Sequence, residues 1–367
     1  MNLQEETSEK RRRLRALLAE RSLDAIYLKR PPNFAWLTGG GSNVVGITLE
    51  LGVAGLLVTT DRAYAVCNNI EAPRMEGEER LGDQGYEIHS FPWCEDCEVE
   101  LVRELAGGGR IGADHALPGA EDVSSSICPL RYPLTPIEIA RYRENGRLTA
   151  MAIEETARSV RPGDRECTIV GRLAARLWDY GLDYITTFCA ADDRIARYRH
   201  PIATDARVQK RVMLCVNSRR RGLIVSLTRF VQFGKVPEDI RRRYDANVLI
   251  DCTMMAHTVP GTPVVEAFRR GVEAYAQAGF PQEYRDHHQG GAIGYLGRDY
   301  KVDFRSKEIV RENQAFAWNP SIAGSKSEDT MIATTDGPEI VSSPITFPTL
   351  CLEVAGRRFT RPDLLEL

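Results

Sequence analysis

Histidine is the side chain best suited to moving a proton near neutral pH, and this chain has six. His200 stands in YRHPIATDAR, between two strand candidates, with Pro201 restricting the backbone at that point. His287 and His288 precede Gln289-Gly290-Gly291-Ala292-Ile293-Gly294, where glycines permit close backbone approach to a ligand or a strand. The other three read as structural. His89 lies near a strand end and His115 in a loop, both at the solvent edge, and His257 ends a helix, where an imidazolium suits the dipole. An imidazole near its ordinary pKa can take up and release a proton, so general acid–base work is the chemistry these positions could do, although a lone histidine is more often structural.

A second stretch, MLCVNSRRRGLIVSLTRFVQFG at 213–234, reads as two β-strands joined by a basic turn, Ser218 to Arg221. Its branched and aliphatic arms suit a core sheet, yet it holds no Asp, Glu or His. Cys215 on its first arm reads as a small buried hydrophobe or, if His200 comes near, as a thiolate nucleophile. Arg219, Arg220 and Arg221 read as a solvated turn or as a source of one arginine aimed at an acidic substrate. Cys94 and Cys97, in WCEDC, lack a second ligand pair at zinc spacing and read as a helix start beside a strand end.

The elements that must position these groups fall into a first domain at 1–132, a second at 135–343 and a C-terminal tail at 344–367. In the first, an amphipathic helix at Ser8–Arg21 precedes strands at Ala25–Leu28, Val53–Thr59, Arg62–Val66 and Tyr86–His89. A helix at Glu98–Leu105 then leads to a strand at Arg110–Ala113. Leu134-Thr135-Pro136-Ile137-Glu138 is a capping box that opens a long helix to Val160. Pro162-Gly163 breaks it, a second helix runs to Tyr180, and strands follow. The same order recurs: a helix from Pro237 to Ala256, a break at Pro260-Gly261, a helix to Ala278, and strands at Val302–Arg305, Ala315–Asn319 and Asp329–Thr334. Such a duplication puts a curved antiparallel sheet inside, helices outside and a pocket between the halves.

With 367 residues, 43% hydrophobic and 27% charged, the chain has an ordinary globular composition with length for two cores. A net charge of −3 argues against a general nucleic-acid binder. No run approaches the roughly 18 apolar residues that span a bilayer. The charged, helical N-terminus does not read as a signal peptide, and nine cysteines without an export signal suit a reducing cytoplasm.

The sequence resembles the "pita-bread" family of creatinase, aminopeptidase P, prolidase and methionine aminopeptidase over nearly its whole length. PPNFAWLTG at 31–39 resembles the creatinase-type N-terminal domain, and the duplicated domain resembles the catalytic half. Metal-dependent members carry two aspartates on the hairpin, a histidine before a glycine-rich strand, and two glutamates. Carried over by that resemblance, the aspartates fall on Cys215 and Ser226, the histidine on His287 or, with a one-residue slip, His288, and the glutamates on Asn319 and Glu328. A dinuclear centre needs anionic oxygen ligands, so no metal and no other cofactor is expected.

Creatinase is the member that works without metal. HPIATD after His200 is similar to the segment bearing its catalytic histidine, and Gly297-Arg298-Asp299 to the motif binding its substrate's carboxylate. The resemblance implies His200 as general acid/base and Arg298 as carboxylate anchor, with His287 and Glu328 in the pocket. Thr228 and Asn319 stand where creatinase has carboxylates facing a guanidinium, so a substrate neutral or anionic at its reacting end is expected. Residues Cys215, Ser226 and His288 complete the expected lining.

The resulting expectation is an α+β pita-bread protein behind a smaller α/β N-terminal domain. It would be a cytoplasmic, metal-independent hydrolase cleaving a C–N bond, in a guanidine, amidine or amide, of a small carboxylate-bearing molecule. A homodimer is implied by resemblance alone; nucleic acid and membrane are not expected partners. Two other readings stand beside it: a peptidase with one metal held by Cys215, His287 and Glu328, and an inactive pseudo-peptidase that binds a ligand or partner.

Overall fold

The computed structural model describes residues 2–367. It divides into two compact units, Met1–Glu138 and Ile139–Leu367. No helix among the described residues is long and apolar enough to cross a membrane.

The first unit contains, in order, α1 (Leu3–Arg21), β1 (Ala25–Leu28), α2 (Pro31–Leu37), β2 (Ala54–Thr59), β3 (Ala63–Asn68), α3 (Ala72–Gly77), β4 (Glu87–Phe91), α4 (Glu98–Leu105), β5 (Ile111–Ala113), β6 (Glu121–Asp122) and α5 (Ser124–Ile127). Its strands lie in the order β4-β3-β2-β1-β5-β6. The AIYL run of β1 is buried at every position, as a strand covered on both faces must be. PPNFAWLTG, which no sequence periodicity marked as helical, folds largely into α2, with two prolines opening it and Phe34, Trp36 and Leu37 buried. His115 departs from the solvent-edge expectation: it is buried, with Nδ1 3.0 Å from Asp114 Oδ1.

The long helix α6 (Pro136–Ser159) starts at the expected capping box: the Glu138 amide donates to Thr135 Oγ1 at 3.3 Å and the Thr135 amide to Glu138 Oε2 at 2.7 Å. In the second unit follow α7 (Glu166–Asp179), β7 (Asp183–Ala191), α8 (Arg194–Arg197), β8 (Arg211–Arg220) and β9 (Leu223–Gln232). The second half repeats the pattern with α9 (Glu238–Ala256), α10 (Val264–Gln277), β10 (Gly290–Ala292), β11 (Tyr300–Lys301) and β12 (Gln314–Trp318). The small hairpin β13 (Ser321–Ile322) and β14 (Ser325–Lys326) then leads to β15 (Asp329–Thr334) and β16 (Gly337–Ile340). The sheets run β19-β9-β8-β7 and β11-β10-β12-β15-β16, where β19 is Leu365–Glu366. They meet where the Thr228 amide donates to the Glu328 carbonyl at 3.0 Å and the Ser226 amide to Thr330 Oγ1 at 2.8 Å. The architecture is the expected α+β one.

Three local expectations are corrected. The β8–β9 turn is not Ser218–Arg221: β8 continues through Arg220, and the tight turn is Arg221-Gly222, both with positive φ (50° and 77°). That geometry follows the twist of the hairpin strands, which a two-residue turn of this hand preserves. No strand forms at the expected Val302–Arg305; β11 ends at Lys301, and Asp303 turns the chain by accepting from the Arg305 amide at 2.7 Å. Residues 344–367 are no appendage. They form a hairpin, β17 (Thr349–Val354) with β18 (Arg357–Pro362), and β19, which pairs in parallel with β9 at Leu365↔Val231. An open β9 edge would leave its backbone groups unpaired, and β19 covers it.

Candidate active site

Strand alternation assembles the floor of the site. Cys215 on β8 and Thr228 on β9 are directly paired, so their side chains share a face. Glu328, just before β15, reaches that face: its Oε2 lies 3.3 Å from Cys215 Sγ and accepts from Thr228 Oγ1 at 3.0 Å. Arg298 Nη2 donates to Glu328 Oε1 at 3.2 Å. The expected carboxylate anchor is thus already bonded to a carboxylate of the protein itself. Lys326, absent from the sequence expectation, completes the cluster, with Nζ 2.7 Å from Glu328 Oε2 and 3.4 Å from Cys215 Sγ. The signal was present in Ser325-Lys326-Ser327-Glu328, because residues two apart on an extended segment face the same way.

The intervening residues face the other way and lock the segment. Ser327 Oγ donates to Asp251 Oδ2 at 2.6 Å. Asp329 meets Arg229 at 3.1 Å and Arg361 at 2.9 Å, and accepts from Ser342 Oγ at 2.7 Å. Arg361, from β18, also contacts Asp251 at 2.5 Å. Every one of these side chains is buried, and the acids and bases offset one another.

The histidines form a second cluster. His200 follows α8, and His287 and His288 lie just before β10. Their placement depends on Gly290 and Gly291, at φ 98° and 153°: a Cβ on either would fall 2.2 Å from a carbonyl oxygen of the flanking strand. His200 Nε2 is 3.0 Å from His287 Nε2, and the His287 and His288 rings stack with centroids 4.6 Å apart. Phe188 on β7 stacks on His200 with centroids 5.3 Å apart. His287 is buried, His288 half-buried and His200 exposed. His257 is apart from them, capping α9 with Nδ1 2.8 Å from the Thr253 carbonyl.

Charge in the two clusters is linked. Burial would raise the Glu328 carboxyl, but the Lys326 and Arg298 cations outweigh it and hold it down at about 2. Lys326 is raised: burial works against its charge, and the neighbouring Cys215 and Glu328 more than reverse that. Burial, and then Glu328, push the Cys215 thiol up to about 11, so it is a neutral thiol and not a poised thiolate. Burial and the Lys326 charge lower His287 to about 2; burial and the Arg298 charge lower His288 to about 3. His200 is lowered for the same reasons, burial first and Lys326 next. The imidazoles are therefore neutral bases beside a cluster holding two cations and one carboxylate.

The remaining expected residues are less engaged. Ser226 Oγ and Asn319 Oδ1 are buried with no hydrogen-bond partner among the described residues. Arg219 is not turned inward: its guanidinium pairs with Asp183 at 2.6 Å on the neighbouring strand.

These residues do not fit the metal pair that the fold family implies. Three imidazole nitrogens do lie within 4.8 Å of one another. A dinuclear centre, however, needs bridging anionic oxygens, and Glu328 alone supplies them while both its oxygens are engaged by protein donors. An ammonium 2.7 Å from that carboxylate repels a divalent ion from the same place.

Comparison with known proteins agrees with this architecture. Residues 140–335 match metallopeptidase family M24, and residues 10–121 match the creatinase/prolidase N-terminal domain. An uncharacterized peptidase of Staphylococcus aureus (strain USA300) is 21% identical over 231 residues, 60% of this chain and 65% of that protein, slightly under two thirds of its length. The Xaa-Pro dipeptidase from Bacillus anthracis superposes with a TM-score of 0.76 at 18% identity, over 98% of this chain and all (100%) of that one. The N-terminal domain of the FACT complex subunit SPT16 from Cicer arietinum superposes with a TM-score of 0.71 at 14% identity, covering 93% and 97%. At these identities the structural likenesses speak for the fold alone, whereas the family match covers more than half of the sequence. The chain belongs to metallopeptidase family M24, a hydrolase family, and carries the creatinase/prolidase N-terminal domain ahead of the pita-bread unit.

Proposed function

We propose that this protein is a metal-independent hydrolase that cleaves a C–N bond, in an amide, amidine or guanidine, of a small molecule bearing a carboxylate. The observation that carries this reading is the neutral His200–His287 pair, 3.0 Å apart, beside an ion cluster with a surplus of one positive charge. His200 is the solvent-facing member and acts as general acid/base: its imidazole takes a proton from water as the water attacks, then gives it to the departing nitrogen. His287 bonds to it and orients it; Phe188 covers one face of its ring. The positive surplus favours an anionic group on the substrate, and Arg298 keeps donors beyond its bond to Glu328. It disfavours a cationic guanidinium such as that of creatine, for which Glu328 has no free oxygen.

Cys215, Ser226, Thr228, His288 and Asn319 line the pocket in this reading. A single-metal peptidase built on Cys215, His287 and Glu328 would need a thiolate and an unshared carboxylate, and neither suits the neutral Cys215 or the engaged Glu328. The test is incubation of the protein with a metabolite extract, read by untargeted mass spectrometry. Loss of a substrate matched by two products whose masses sum to the substrate plus one water, absent in His200→Ala with the fold intact, supports the reading. Turnover that survives His200→Ala, or that is lost to a chelator, overturns it. A ligand retained without conversion points instead to a binding protein.

A further inference from the structure

We propose that Lys326 is the resident cation of this centre: a tethered ammonium that takes the place of divalent metal charge and binds an anionic oxygen of the ligand. Buried charges elsewhere in this unit come in offsetting sets; Arg229 and Arg361 face Asp251 and Asp329 across 2.5–3.1 Å. Lys326 and Arg298 converge on the single carboxylate of Glu328. A desolvated ammonium costs several kcal/mol unless its N–H groups find acceptors. Of the three on Lys326, one meets Glu328, one meets the weak acceptor Cys215, and the third has no partner among the described residues. Ser226 Oγ, on the same face of β9 as Thr228, is also unpartnered and fully buried. The electrostatic vacancy is therefore anionic, and it borders the histidines: Phe188, which stacks on His200 with centroids 5.3 Å apart, is paired across β7–β8 with Cys215, the residue whose Sγ lies 3.4 Å from Lys326 Nζ.

This deepens, and in its last step rests on, the hydrolytic reading. Water adds to the carbon of the C–N group while His200 takes its proton. The carbonyl π pair moves onto oxygen, and Lys326 donates a hydrogen bond to that oxyanion. The pair then returns, the C–N bond breaks, and the nitrogen leaves with the proton held by His200; one water is consumed. Fixed donors aimed at a developing oxyanion need no reorganisation during the reaction.

The test does not require a known substrate. Mn²⁺ binding is measured by electron paramagnetic resonance in the wild type, in Cys215→Asp/Asn319→Glu, and in the same pair with Lys326→Met. Restored carboxylates should bind Mn²⁺ poorly while the lysine remains and at least about a hundredfold more tightly once it is gone, since like charges a few Å apart repel strongly at the low effective dielectric of a buried site. Equal affinity with and without Lys326, or stoichiometric Mn²⁺ in the wild type, overturns the proposal. Should those variants fail to fold, wild-type crystals soaked in sodium bromide serve. Anomalous signal for bromide against the Lys326 ammonium supports the proposal; ordered bromide elsewhere with none there overturns it. If bromide binds but no turnover is found in the metabolite assay, the hydrolytic reading fails while the cation assignment stands.

Discussion

Lys326 and Glu328 lie two residues apart on one face of an extended segment, with Nζ 2.7 Å from Oε2 and with 5% and 2% of their side chains exposed. Removing one partner of such a pair leaves the other charged and desolvated, which costs about 3–5 kcal/mol. Glu328→Gln is therefore expected to destabilise the fold by an amount in that range, and Lys326→Met/Glu328→Gln by less than the two single changes combined. Urea denaturation through the full cycle checks this; additive losses would mean that the two groups do not interact in solution.

The clusters also set an acid limit on stability. His287 titrates at about 2 in the folded protein, below the ordinary 6.5 of an unfolded chain, so the unfolded state binds the proton first. Its contribution is complete above 6.5 and is lost progressively as pH falls toward 2. Glu328, lowered from 4.5 to about 2, adds a loss of the same sign at and below 4.5. Melting temperature should fall steadily below pH 6.5, and His287→Phe should flatten the upper part of that fall, between pH 6.5 and 4.5. An unchanged profile in the variant would refute the assignment.

The C-terminal residues should prove indispensable to the second unit. Arg361 contacts Asp251 at 2.5 Å and Asp329 at 2.9 Å, all three without solvent exposure. Arg361→Met is expected to cost about 3–5 kcal/mol. Truncation after residue 343 should prevent folding, because it removes that arginine and uncovers β9 together. Circular dichroism and soluble yield of the two variants report the outcome.

At the β8–β9 turn the opposite sign is expected. Arg221 adopts φ +50°, a conformation that asparagine tolerates better than arginine, and Gly222 already follows it. Arg221→Asn should stabilise the protein by up to about 1 kcal/mol, since the left-handed conformation costs an ordinary residue roughly 1–2 kcal/mol and asparagine visits it more readily. A thermal melt that moves down would show that the arginine side chain makes a compensating contact.

Much of the scaffold was legible in order along the chain. Thr135 and Glu138 announce a helix start because a capping box satisfies backbone donors within four residues. The two helix–break–helix–strand passages display the duplication, and the aliphatic arms around Arg219–Arg221 mark a core hairpin. The histidines on either side of it, His200 and His287, stood out by type and surroundings, and the structure brings them to 3.0 Å across 87 residues.

What residue order by itself determined, then, was local: periodicity, caps, turns, and the shortage of carboxylates at the hairpin. Tertiary structure decided the charge of the site. Lys326 and Cys215 are 111 residues apart and 3.4 Å apart in space, and Arg361 locks the segment from a strand that sequence alone left as a tail. A buried ion takes its meaning from the partners that desolvate and balance it. Apart from Glu328, two residues from Lys326, those partners come from distant segments, so no local pattern names them until the sheet has closed.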